Sequence, residues 1–128
     1  DSTGSGDIYF SDFYANKFND IQKLEGKDIN TKYWETHAMV SHDRSRLFFA
    51  SDRPGGFGGR DIYMSLRDKK DSSWTKPVNL GPSINTANDE DSPFISIDNK
   101  RLYFASNGPK SIGGFDILMT DLNPICWS

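Results

Sequence analysis

A length of 128 residues allows one domain and leaves little room for two. The apolar share of 35%, with 13% aromatic, argues against intrinsic disorder, while fifteen Lys and Arg against eighteen Asp and Glu leave a net charge of −3. That charge, with no basic run, excludes the phosphate-neutralising face of a nucleic-acid binder; no apolar run approaches the roughly 18 residues of a membrane-spanning helix; and a single cysteine, Cys126, excludes an intramolecular disulfide and a thiolate zinc cage.

In chain order, residues 7–24 open with Asp7-Ile8-Tyr9-Phe10-Ser11 and read as the third and fourth strands of a four-stranded unit. Residues 37–80 read as a complete unit. Its first two strands, Ala38-Met39-Val40-Ser41 and Arg46-Leu47-Phe48-Phe49-Ala50-Ser51, flank His42-Asp43-Arg44-Ser45, which has the length and residue types of a hairpin turn. A third strand lies at Asp61-Ile62-Tyr63-Met64-Ser65. A fourth, around Trp74 to Leu80, follows the variable stretch Arg67 to Ser73; Pro77 places it at an edge, where a missing donor costs least. Residues 92–120 supply three strands of the next unit, at Pro93-Phe94-Ile95-Ser96, Arg101–Ser106 and Asp116–Thr120. No helical periodicity of useful length is present.

The units repeat. Trp34–Ser51 and Asp89–Ser106 align at an offset of 55, with eight of eighteen positions identical. Ile29-Asn30-Thr31 and Ile84-Asn85-Thr86 recur at the same offset, and the strands beginning at Asp7, Asp61 and Asp116 are spaced by 54 and 55. Four antiparallel strands per repeat at this period predict an all-β fold of β-propeller blades, about two and a half of them. A propeller needs at least about four blades to close. The expectation is therefore a single partial domain over 1–128, a segment of a larger propeller or a protomer that closes its ring by oligomerisation.

Phe49-Ala50-Ser51-Asp52-Arg53-Pro54-Gly55-Gly56-Phe57-Gly58-Gly59-Arg60-Asp61-Ile62-Tyr63 resembles the signature of the TolB-like (WD40-like) β-propeller repeat: a short strand, Ser-Asp-Arg, a glycine loop, then Asp-Ile-Tyr. With Asn79-Leu80-Gly81 and Asp89-Glu90-Asp91-Ser92-Pro93, the long glycine loop is similar to a subgroup in Bacteroidetes envelope proteins that often carry an OmpA-like domain. Some members of that subgroup resemble parts of the type IX secretion and gliding machinery. The resemblance implies a periplasmic, outer-membrane-associated scaffold with protein partners, and contact with peptidoglycan only through domains outside this chain. Thr36-His37-Ala38, His42 and Leu118 depart from the pattern.

The residues themselves point away from catalysis. Gly55-Gly56-Phe57-Gly58-Gly59 lacks the Gly-Lys-Ser/Thr ending of a phosphate loop and leads into a strand, so its glycines are read as conformational. Asp7, Asp61 and Asp116 start the third strand of each copy, and Glu35 and Glu90 recur at one position; all five are read as structural acceptors. Asp89-Glu90-Asp91 lacks the alternating spacing of a calcium loop. His37 and His42, five apart, fall on opposite faces of a regular strand, and Cys126 has no recognisable base partner. No cofactor or metal site is expected. The aromatics Phe48, Phe49, Tyr103, Phe104, Tyr9 and Tyr63 are assigned to the core between blades. The loops joining second and third strands share a rim with 81–89, and Asp52, Arg53, Phe57, Arg60, Asn107, Lys110 and Ile112 are the candidate partner-binding residues there, with Ser111 beside them. Phe57→Ala with Arg53→Ala is expected to leave folding intact. A carbohydrate-binding propeller and the propeller portion of a hydrolase are the competing readings.

Overall fold

Every regular element among the described residues, 6–122 of the computed structural model, is a β-strand, and the strands gather into antiparallel sheets of two to four strands. β1 (Tyr9–Phe10) pairs with β4 (Gln22–Lys23), and between them in the chain β2 (Phe13–Tyr14) and β3 (Lys17–Phe18) form a ribbon of their own. The central sheet runs β5 (Glu35–Val40), β6 (Arg46–Ser51), β7 (Asp61–Leu66), β8 (Val78–Asn79). The last sheet runs β9 (Glu90–Ile95), β10 (Arg101–Ser106), β11 (Asp116–Asp121). Register follows the repeat: Phe48 faces Met64 across β6 and β7 as Tyr103 faces Met119 across β10 and β11.

Side chains alternate across a strand, so β6 and β7 can feed two cores at once. Leu47, Phe49 and Tyr63 join Ile8, Ile29 and Trp74 on one face of the central sheet. Phe48, Ile62 and Met64 join Leu80, Ile84, Ile95, Leu102 and Phe104 on the other, where β9 packs across β5, β6 and β7. Burial on both faces is why Arg46–Ser51 and Asp61–Ser65 read as nearly continuous apolar runs rather than alternating ones.

Several local expectations are corrected. β5 and β9 begin at Glu35 and Glu90, earlier than Ala38 and Pro93, because each absorbs a bulge. His37 and Ser92, one repeat apart, take φ of 51° there. The bulge breaks the alternation on which opposite faces for His37 and His42 depended; both are exposed. The fourth strand shrinks to Val78–Asn79, since Pro77 has no N–H to give and pairing with β7 starts after it. Trp74 instead bridges Arg67 and Gly26. Residues 7–24 hold the exposed β2–β3 ribbon in addition to the β1–β4 pair. Tyr9, the counterpart of buried Tyr63, is 55% exposed, and Tyr103 is half-buried with its ring centroid 6.4 Å from that of Phe94. Neither outer face has a neighbouring sheet among the described residues, so these two aromatics are not core.

Candidate functional site

The repeated Ile-Asn-Thr segments form the joints between sheets. Ile29 and Ile84 are buried, and the asparagine that follows supplies a side-chain amide where a backbone partner is missing. Ile8 N–H donates to Asn30 Oδ1 (2.6 Å) and Asn30 Nδ2 donates to Ile8 O (3.0 Å). One repeat later, Ile62 N–H donates to Asn85 Oδ1 (2.7 Å) and Asn85 Nδ2 donates to Ile62 O (2.9 Å). The threonine then holds the next sheet. Thr31 donates its N–H (2.9 Å) and hydroxyl (2.5 Å) to Glu35, and Thr86 donates the same groups to Glu90 (2.9 and 2.6 Å). Both glutamates are buried, and their own N–H groups donate to Gly6 O and Arg60 O, 2.8 Å in each case.

Four of the seven candidate rim residues belong to these joints. Asp52 Oδ1 accepts from Trp34 N–H (2.9 Å) as Asn107 Oδ1 accepts from Asp89 N–H (2.8 Å). Arg60 donates its N–H to Asp89 Oδ1 (2.8 Å), and its guanidinium lies 3.4 Å from Asp91 and 3.9 Å from Asp89. Arg53 is engaged on every side. It donates to Ser51 Oγ (3.0 Å), Asp28 O (2.7 Å), Ile29 O (2.9 Å) and Glu35 Oε1 (3.2 Å). Its guanidinium carbon also sits 5.1 and 5.0 Å from the ring centroids of Phe49 and Tyr63. Truncating Arg53 therefore strips an internal fastening, contrary to the expectation that its loss leaves folding intact.

The other three, Phe57, Lys110 and Ile112, face solvent. Phe57 and Ile112 occupy the same position one repeat apart, 48% and 89% exposed. Each tip is closed by the aspartate that starts the next strand: Phe57 N–H donates to Asp61 Oδ2 (2.5 Å) and Ile112 N–H to Asp116 Oδ2 (2.7 Å). Asp61 also accepts from Asn79 Nδ2 (3.0 Å), and Asp7 pairs with Lys23 Nζ at 2.7 Å. Gly59 N–H donates to Asn88 O (3.1 Å), which draws this loop onto 81–89. Gly58 is required by that approach, because a Cβ there would collide with the backbone of Thr86 and Ala87. For Gly58 the demand is space rather than the unusual dihedral expected from sequence.

Ionisable groups elsewhere are structural in their contacts. Asp43 accepts from the hydroxyls of Ser41 and Ser45, both 2.7 Å, from Ser45 N–H (3.0 Å) and from Asn99 Nδ2 (2.9 Å). These donors hold its carboxyl well below the usual range, the Ser41 hydroxyl foremost. The last of them ties the hairpin turn of the central sheet to that of its neighbour. Among the described residues no three His, Cys, Asp or Glu side chains gather as metal ligands. Cys126 lies outside the described residues.

Sequence reasoning marked the Ile-Asn-Thr repeat without giving it a role. Asn30, Asn85, Thr31 and Thr86 were visible as a recurrence, and only the placement of the preceding sheet reveals what each binds. No family model, no curated protein and no solved structure matches the chain.

Proposed function

We propose that the chain is a β-propeller segment of the TolB-like kind and acts as a non-catalytic scaffold for protein–protein interaction. Following the same resemblance, we place it in a bacterial periplasm at the outer membrane. The observation that carries the interaction reading is the pair of apolar loop tips. Phe57 and Ile112 stand exposed at equivalent positions, each fixed by an aspartate–amide hydrogen bond, and the Phe57 loop is drawn onto 81–89 by Gly59 N–H to Asn88 O. A rigid loop presenting an apolar anchor loses little entropy on binding and suits a protein interface. Reading the sheets as blades is supported by their common register and by the repetition of the same asparagine and threonine joints.

The test is a double variant, Phe57→Ala with Ile112→Ala. Both side chains are exposed, so its thermal midpoint should stay within about 2 °C of the parent. Quantitative capture of the partner from envelope extracts should fall at least roughly tenfold, as loss of central apolar anchors does. Capture at the parental level by the folded double variant overturns the assignment of this rim.

A further inference from the structure

Two successive repeats share one scaffold and differ around one fastening: arginine at 53 beside Tyr63 in the first, glycine at 108 beside Leu118 in the second. Both positions begin alike, with Arg53 N–H donating to Ser51 Oγ (3.2 Å) and Gly108 N–H to Ser106 Oγ (3.0 Å). Around Arg53 the guanidinium meets a serine hydroxyl, the main-chain oxygens of Asp28 and Ile29, the Glu35 carboxylate and two aromatic faces. Moved on by 55 residues, those groups become Ser106, Ser83, Ile84, Glu90, Phe104 and Leu118. The space the arginine fills in the first repeat is open in the second. A cavity of about 330 Å³ lies there, bounded by Ser83, Ile84, Thr86, Phe104, Ser106 and Leu118, with Lys110 at its side.

The polar wall of this cavity is under-used. Among the described residues no donor reaches the main-chain oxygens of Ser83 or Ile84. Glu90 is buried behind Thr86 and Ser106 and accepts from both, yet no cation of the described residues pairs with it, whereas Glu35 holds Arg53 at 3.2 Å. Gly108 itself has no side chain to fill the space, so a cation there would have to come from elsewhere.

We propose that this cavity is a receptor for a guanidinium group, occupied by an arginine side chain of a protein partner. Main-chain oxygens and an aromatic face, with the Glu90 carboxylate behind Thr86 and Ser106 rather than in the lining, suit a planar, five-donor, weakly hydrated cation better than a compact ammonium. The interaction-scaffold reading supplies only the source of the arginine; the chemistry of the cavity stands on the internal comparison.

The probe is N-acetyl-arginine amide, titrated into the 128-residue chain and followed by amide chemical shifts. Saturable shifts are expected at Thr86, Ser106 and Leu118, with a Kd on the order of millimolar. Affinity should exceed that for N-acetyl-lysine amide at least about threefold, and the uncharged N-acetyl-citrulline amide should not saturate. Leu118→Tyr restores the second ring found at Tyr63 and should tighten binding roughly two- to fivefold. Glu90→Gln should weaken it about tenfold; should that variant fail to fold, the Leu118→Tyr comparison carries the test. A flat titration to about 50 mM, an equal response to the citrulline compound, or unchanged affinity in folded Leu118→Tyr overturns the receptor. Such a failure beside intact capture dependent on Phe57 and Ile112 removes the receptor alone and leaves the scaffold reading standing.

Discussion

Arg53 shows how one side chain can fasten two sheets. Its donors satisfy two main-chain oxygens of the segment before β5 and the buried Glu35, and its flat face lies against Phe49 and Tyr63. Removing it strips four side-chain hydrogen bonds at once, which costs about 2 kcal/mol. Arg53→Ala should therefore lower the urea midpoint, and Arg53→Lys should recover only part of the loss, because an ammonium cannot reproduce the fork. A midpoint unchanged by Arg53→Ala would show that the contacts do not contribute. Asn85 makes a similar case through backbone satisfaction. It serves both Ile62 N–H and Ile62 O and donates to Asn79 Oδ1 as well (2.8 Å). Asn85→Ala should cost about 2–3 kcal/mol and raise hydrogen exchange at Ile62 above that of its neighbours in β7.

At the scale of elements, the hairpin turns of the second and third sheets are built alike. Asp43 gathers Ser41, Ser45 and Asn99; Asp98 accepts from the Ser96 hydroxyl (2.6 Å) and Lys100 N–H (3.0 Å), and these two bonds lower its carboxyl in the same order. Folded values below the unfolded one mean stability that is complete above about pH 4 and is lost as pH falls through the depressed folded values. The fall in thermal midpoint from pH 7 to pH 3 should accordingly be smaller in Asp43→Asn with Asp98→Asn than in the parent; an equal or larger fall refutes the turns as acid-sensitive elements. Strands β6 and β10 were legible as short aromatic runs between polar turns, and β7 and β11 through the recurring Asp-Ile element. The bulges at His37 and Ser92 were not. Each is a local backbone choice imposed by pairing with β6 or β10, and neither residue type announces it.

Across the whole molecule, the two cores meet back to back through β6 and β7, which lends the central sheet burial on both faces. The same sequence position then has opposite fates in successive repeats. Ile62 is 0% exposed beneath Leu80 and Ile84, while its counterpart Ile117 is 71% exposed on β11. Ile62→Lys should abolish cooperative folding, and Ile117→Lys should change stability by less than about 0.5 kcal/mol, read by chemical denaturation. Equal sensitivity at the two positions would mean that Ile117 is covered in solution.

Composition, alternation and the 55-residue recurrence determined by themselves that the chain is all-β, which residues form its main strands, and that its loops alternate with them at a fixed period. Those properties are local or periodic, so they are written in the order of residues along the chain. The tertiary structure alone decided which loop residues are engaged by the rest of the fold and which are not. Asp52, Arg53, Arg60 and Asn107 look on paper like Phe57, Lys110 and Ile112, polar or exposed residues in glycine-rich loops, yet the first four find partners 18 to 31 residues away, in the segments that join neighbouring sheets. Such partners exist only once the sheets are stacked, and the open space beside Gly108 becomes visible only against the filled one beside Arg53.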